Sequence, residues 1–365
     1  MKNKIKVSTV VGARPQFIKY SGIHFEIKNY NELEDVLIHT GQHFDSNMSD
    51  IFFDQFHLKK PNYNLNIYGG SHGEMTGEMI KSLEKCFNKI KPDVILLFGD
   101  TNSTLAGAIS GSKMNIPIIH IEAGLRSNNK AMPEEINRII TDHVSDLLFV
   151  PSNHSKMNLI NEGISTKKII NSGDIMLDVF KKFENKFIFP DKRIKGLSKN
   201  DEYAICTIHR QENTDNFKNW NLILDYINSM SKHYKIIWPV HPRVKNKINK
   251  SILKSNKRIF MIEPLSYFEI LGASKYSKFL ITDSGGLQKE AYFLKIPCIT
   301  LRNETEWIEL VKLGWNLLVR PSDLSSNSII KSRKFLDKNN NSFKNIYGNG
   351  NASKIIINSI IKNYI

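Results

Sequence analysis

Short apolar runs alternate with helical stretches along the chain. Residues 5–11, 35–40, 94–98, 116–121, 147–150 and 168–171 each hold a few consecutive apolar positions, the length of a buried strand. Helical segments follow at 15–27, 73–90, 104–114, from 133 onward, 152–161 and 175–187. Residues 62–68 alternate polar and apolar, which predicts one more short strand, and residues 47–56 predict a helix. The pattern restarts after a charged, strand-free stretch, Pro190–Asp201, read as a linker. Strands are expected at 202–208, 235–240, 258–262, 279–282, 297–301 and 315–319, helices at 217–232, 267–275 and from 285 to about 294, and an amphipathic helix closes the chain at 351–364. Regular alternation of strand and helix predicts parallel sheets. The expected fold class is α/β: two doubly wound Rossmann-like domains facing an interdomain cleft, with residues 1–189 as the first, 201–350 as the second and 351–365 as a terminal helix.

Ligands in such sheets bind beyond the carboxyl ends of the strands, so the polar signature that ends each apolar run is the place to look for chemistry. In the first half, Asp100 and Glu122 follow the runs 94–98 and 116–121 and are expected to face one crevice. Glu134 and Glu135 open the next helix. Asp100 competes with a helix-capping role, because Asp-Thr-Asn-Ser is rich in capping residues. Glu122 needs a partner after Ile-Ile-His-Ile, and Arg126 is the one expected. Gly12, Arg14 and Lys19 surround a helix N-terminus, a place suited to an anion. In the second half, Ser284, Gly285 and Gly286 put a hydroxyl and bare backbone amides between a strand and a helix, suited to a diphosphate. Glu290, further along that helix, can accept from ribose hydroxyls. His209, Arg210, His241 and Arg243 sit at strand ends, and arginine matches phosphate oxygens two at a time.

Composition narrows the classes further. The chain has 365 residues and a net charge of +15. Its lysines are mostly set beside asparagines, and no nucleic-acid-binding signature accompanies the charge. An anionic small substrate fits it equally well. No apolar run approaches the roughly 18 residues of a membrane span, so a cytoplasmic protein without membrane or nucleic-acid partners is expected. Cys86, Cys206 and Cys298 lie too far apart for a disulfide framework or zinc spacing. Dinucleotide, P-loop and metalloprotease motifs are absent, so no metal or cofactor is expected.

At GARPQFIK, TGQHF, KPDVILLFGDTNSTLAGA, HIEAGLRS, PEEINR, HRQEN, PVHP and TDSGGLQKEA the chain closely resembles the non-hydrolysing UDP-N-acetylglucosamine 2-epimerase family. The likeness runs from about residue 5 to 320. It implies a glycosyltransferase-B-like fold, a homodimer, and reversible inversion at C2 of a UDP-linked N-acetylhexosamine. By that resemblance Asp100, Glu122 and Glu134 match catalytic carboxylates, and His209 is grouped with them. Arg14, Lys19, His209, Ser284, Gly285, Gly286 and Glu290 match nucleotide-binding positions. Gln42, His43, Arg210 and His241 fall where some members bind a second, activating UDP-sugar. The usual GTRPE is GARPQ here, HRREN is HRQEN, and Thr-Glu-Arg-Pro-Glu is Thr305-Glu306-Trp307-Ile308-Glu309. Several of these forms resemble the branch acting on UDP-2,3-diacetamido-2,3-dideoxyglucuronate. A glycosyltransferase, a hydrolysing epimerase and a non-catalytic UDP-sugar sensor are the alternatives.

Overall fold

The computed structural model describes residues 4–42, 50–248, 256–338 and 341–364. The chain forms two compact units, Met1–Lys182 with Asn345–Ile365, and Phe183–Lys344.

In the first unit the strands are β1 (Ile5–Val11), β2 (Leu33–His39), β3 (Tyr63–Asn64), β4 (Val94–Phe98), β5 (Ile118–Ile121), β6 (Leu147–Val150) and β7 (Ile169–Asn171). They pair in parallel in the order β3-β2-β1-β4-β5-β6-β7. A parallel sheet carries helices on its faces, so its strands read as continuous apolar runs. All five residues of β4 are buried. β5 is Ile-Ile-His-Ile, with His120 completely buried in its middle. The strand order reverses between β1 and β4, so the ends of β1, β4 and β5 frame a switch point.

The strand expected over 62–68 shrinks to the two residues of β3. Asn64 accepts from the Asn66 amide at 3.1 Å, and Asn66 then turns left-handed with φ 53°. That local turn outcompetes extension. The start of the helix expected from Asn47 lies outside the described residues. The terminal helix Ala352–Tyr364 belongs to the first unit and packs on the helix Arg14–Ile27. Asp178 fixes its first turn by accepting from the amides of Ala352 and Ser353 at 3.1 and 2.7 Å.

The second unit has β8 (Tyr203–Thr207), β9 (Lys235–Pro239), β10 (Ile259–Ile262), β11 (Phe279–Thr282), β12 (Cys298–Leu301) and β13 (Asn316–Val319). They are parallel in the order β10-β9-β8-β11-β12-β13. Here the reversal lies between β8 and β11. Residues 190–201 belong to this unit, and Ile194 and Leu197 are buried in its core with Tyr203 and Leu280. None of the described helices is long and apolar enough to cross a membrane.

Candidate active site

In the first unit, the loop after β1 is welded to the end of β4 by Gln16. Its Oε1 accepts from the amides of Gly12 and Ala13 at 2.8 and 3.0 Å, and its Nε2 donates to the Phe98 carbonyl and Thr104 Oγ1 at 3.0 and 2.9 Å. A glutamate could accept from the two amides but could not donate onward, which gives the Gln of GARPQ a local reason. Gly12 is pressed against the hydroxyls of Ser103 and Thr40, which lie 2.1 and 2.2 Å from where a Cβ would be. Two amides of the expected anion site are therefore already satisfied internally, and Arg14 is the exposed cation there.

Lys19, one turn further along the same helix, pairs with Glu122 Oε1. Both side chains are nearly buried. The expected partner, Arg126, instead pairs with Asp142 at 2.7 Å and with Glu162 at 2.6 Å. Glu122 takes a left-handed backbone, φ 70°, which is strained for a residue with a Cβ by an amount on the order of 1–3 kcal/mol. The amides of Glu122 and Ala123 both donate to the Phe149 carbonyl of β6.

Asp100 follows Gly99, whose φ is 63°. An added Cβ on Gly99 would lie 3.2 Å from Lys19 Nζ and 3.5 Å from Glu122 Oε1. The turn carrying Asp100 thus abuts the Lys19–Glu122 pair, and the two carboxylate-bearing turns meet as the strand pattern predicts. Capping of the next helix falls to Thr101, which accepts from the Thr104 amide at 3.2 Å, so capping does not occupy Asp100. Its carboxylate pairs with Arg138, and its carbonyl accepts from Asn137 Nδ2 at 2.9 Å. Arg138 also holds the buried Glu135 at 2.8 Å. Glu135 accepts from the Ser127 and Asn128 amides and so staples the preceding loop. Glu134, its neighbour, is half-buried in the first turn of the helix Pro133–Val144.

Asp142, on the last turns of that helix, accepts from the Gly124 amide at 3.1 Å and faces His120 Nδ1 at 2.7 Å. Burial alone would raise its carboxyl, but the hydrogen bond and charge of His120 and the Arg126 guanidinium outweigh burial and hold it below the usual carboxylate range. Gln42 Oε1 accepts from Ser103 Oγ at 2.8 Å and from its amide at 3.2 Å, a local tie to the helix that follows β4. His43 lies outside the described residues.

In the second unit the switch point is bridged by Asp283. It is completely buried and accepts from the amides of His209 and Arg210 at 3.0 and 2.9 Å and from Asn213 Nδ2 at 3.0 Å. The His209 ring, with Nδ1 3.2 Å from Asp283 Oδ1, stacks on His241 at 5.4 Å between centroids. Ser284 caps the helix Gly285–Phe293. Gly285 lies against Glu306, whose Oε1 would be 2.5 Å from an added Cβ, whereas Gly286 faces open space. Glu306 accepts from the buried Arg302 at 2.8 Å. Glu290 is buried on the same helix. Burial raises the Glu212 carboxyl, and the Arg210 and Arg302 charges only partly offset it. Among the described residues no group of three or more His, Cys, Asp or Glu side chains is arranged to hold a metal ion.

A family sequence model described as UDP-N-acetylglucosamine 2-epimerase matches residues 25–361. This chain belongs to the UDP-N-acetylglucosamine 2-epimerase family. Within the family, it is 46% identical over 363 residues to a UDP-N-acetylglucosamine 2-epimerase homolog of Methanococcus maripaludis, covering 97% of this chain and 98% of that one. It is 44% identical over 362 residues to the UDP-2,3-diacetamido-2,3-dideoxy-D-glucuronate 2-epimerase of Pseudomonas aeruginosa, covering 98% and 100%. Among solved structures, the Methanocaldococcus jannaschii UDP-GlcNAc 2-epimerase in complex with UDP-GlcNAc and UDP superposes with a TM-score of 0.87 at 39% identity, covering 98% of this chain and 100% of that one. A lipopolysaccharide outer core galactosyltransferase, WaaB, shares the fold alone, with a TM-score of 0.56 at 12% identity over 98% of this chain and 99% of that one. This family member therefore has the two-domain, Rossmann-like α/β fold that its residue pattern predicts, and the glycosyltransferase-B-like likeness that the resemblance implies.

Proposed function

We propose that this chain is a non-hydrolysing UDP-N-acetylhexosamine 2-epimerase of the UDP-GlcNAc to UDP-ManNAc type. The observation that carries the reading is the meeting of the Asp100 turn with the Lys19–Glu122 pair at the switch point of the first sheet. Two carboxylates there, each with a cation against it, suit proton transfer to and from a sugar carbon.

The chemistry explains why more than one carboxylate is needed. The hydrogen at sugar C2 is not acidic, because C2 bears an amide nitrogen and neither neighbouring carbon is a carbonyl. Breaking the C1–O bond to UDP builds positive charge at C1 and makes the C2 proton labile. A carboxylate takes that proton, the C2–H electron pair becomes the C1–C2 double bond of a glycal, and the C1–O pair leaves with UDP. Protonation of C2 on the opposite face and return of the UDP oxygen to C1 complete the inversion. A base on one face and an acid on the other account for two carboxylates among Asp100, Glu122 and Glu134, each contributing about 10²–10⁴-fold.

The departing diphosphate needs fixed positive groups, since such electrostatic terms are usually the largest. Arg14, Lys19, His209 and the Ser284-Gly285-Gly286 helix start take this role, with Glu290 on the ribose. Gln42, His43, Arg210 and His241 form the second UDP-sugar subsite in this reading. The enzyme works as a cytoplasmic homodimer, without a cofactor, in surface polysaccharide precursor synthesis.

A second reading has a specific observation behind it, the 44% identity to the diacetamido-dideoxyglucuronate enzyme; the mechanism is the same and the sugar differs. One NMR experiment tests both. Each UDP-sugar is incubated with the enzyme in D₂O, and deuterium at C2 together with the 2-epimer is the expected result for the true substrate. No deuterium with either sugar rejects the epimerase reading, and exchange with the diacetamido-uronate alone moves the substrate to the second.

A further inference from the structure

His120 has no assigned role, yet it is the one polar residue in an otherwise all-isoleucine strand and is completely buried. Burying an imidazole is unfavourable unless both ring nitrogens find partners. Here both do, and neither partner belongs to the strand ladder. Nε2 lies 2.7 Å from the Gly99 carbonyl and Nδ1 2.7 Å from Asp142 Oδ1. A carbonyl only accepts, and so does the ionised Asp142 carboxylate, so each ring nitrogen carries a proton, Nε2 donating to Gly99 and Nδ1 to Asp142. The Gly99 amide is engaged on its other side by the Ile121 carbonyl at 3.0 Å. Gly99 is thus gripped at both ends immediately before Asp100.

The grip extends to Glu122. Asp142, which holds the ring, also takes the Gly124 amide two residues past Glu122, and Arg126 anchors Asp142 from the far side. Asn137 and Arg138, on the same helix as Asp142, hold the Asp100 carbonyl and carboxylate. One helix therefore fixes the turns on which both carboxylates ride, and His120 is its only reach to the carbonyl of Gly99 among the described contacts.

We infer that His120 is a positioning residue for the Asp100 carboxylate, acting through its Nε2–H bond to the Gly99 carbonyl while Asp142 holds the ring in place. The inference rests on the epimerase reading of the same site. A buried histidine serving stability alone is the competing account. It differs in one respect: it gives no reason for the rate to follow the Gly99 bond in particular.

Three variants separate the two. In His120→Gln the side-chain amide reaches the position of Nε2 and can still donate to Gly99. In His120→Asn the shorter amide reaches only toward Asp142, and His120→Ala makes neither bond. Steady-state kinetics with the UDP-sugar that the wild type exchanges should show kcat lowered about 10²-fold in His120→Asn and His120→Ala. KM and UDP affinity should stay within about threefold, the signature of lost transition-state geometry. His120→Gln should recover at least about tenfold of the lost kcat. Equal losses in Gln and Asn, a loss confined to KM, or no loss overturns the proposal. If Asn and Ala fail to fold, the Gln variant and wild-type ¹⁵N NMR decide it: a protonated Nε2 protected from exchange is expected, and an unprotonated Nε2 overturns it. A wild type that places no deuterium in any UDP-sugar is a different failure, that of the epimerase reading itself.

Discussion

The Lys19 ammonium meets Glu122 Oε1 across the end of the sheet, with both side chains nearly out of solvent. Neither charge has water to fall back on, so the pair is more sensitive to halving than to removal. Lys19→Met should destabilise the protein by up to about 3–5 kcal/mol, because it takes the ammonium away from a buried carboxylate. Adding Glu122→Gln should return much of that stability while leaving turnover at least about 10²-fold low. Urea unfolding of the two single variants and the double variant measures the coupling. A Lys19→Met protein as stable as the wild type would show that Glu122 is compensated from elsewhere.

In the second unit, Asp283 holds the amides of His209 and Arg210 in one direction and opens the Ser284 turn in the other. Asp283→Asn keeps the size but replaces one acceptor oxygen with a donor, facing two amides and the Asn213 side chain. Leaving one buried donor unpaired costs about 1–3 kcal/mol. The His209 loop and the helix start should then lose their mutual register. Calorimetry with UDP is expected to show affinity weakened about tenfold or more. Unchanged UDP affinity would mean that the nucleotide does not depend on this loop.

The three thiols offer a simple check on packing. Burial pushes Cys86 up to about 11 and Cys298 up to about 12, and raises Cys206 well above its ordinary value. The thiolate is the reactive form, and all three side chains are buried. At pH 7.5 an aromatic disulfide reagent should label none of them quickly in the folded protein and all of them in denaturant. Fast labelling of one thiol in the native state would expose a local opening around it.

The alternation of apolar runs and helical segments carried both sheets to within a residue or two at most strands, because parallel strands buried on both faces leave an unbroken apolar signal. The helices that the pattern missed lack such a signal. Ser326–Asp337 buries Ser328 and Ser332, and Ser332 accepts from the Tyr226 hydroxyl at 2.7 Å; serines interrupt the face on which Ile329, Phe335 and Leu336 meet the core, so its apolar signal is weak. At the site, Asp100 and Glu122 were legible because they follow strands abruptly. Their partners were not. Arg126 is close to Glu122 in sequence but is claimed by Asp142 and Glu162, while Lys19 comes from the helix after β1, which reaches Glu122 only in the fold. His120 carried a signal, a lone imidazole in an isoleucine run. Asn137, Arg138 and Asp142 share one helix with the Glu134 and Glu135 pair, and only the three-dimensional fold shows that they converge on Asp100 and Gly124.

Asp142 also makes a prediction about acid. Its carboxyl sits below the usual range in the folded protein, whereas an unfolded aspartate titrates near 3.9, so above that value (roughly pH 4) its ionised form favours folding. As pH falls through the folded-state value the carboxylate gains a proton in both states and the contribution disappears. Asp142→Asn removes the partner of His120 and Arg126 and should cost about 3–5 kcal/mol at pH 7. The gap between wild type and variant should stay level from pH 7 to about 5 and narrow below about 4, where the wild type loses what the variant never had. Urea midpoints taken across that range measure the gap directly. Glu162, also held below its ordinary value with Arg126 beside it, remains in the variant, so a residual acid sensitivity is expected in both proteins. A gap that widened toward low pH would mean that Asp142 is protonated in the folded state and that the ring of His120 is held by something else.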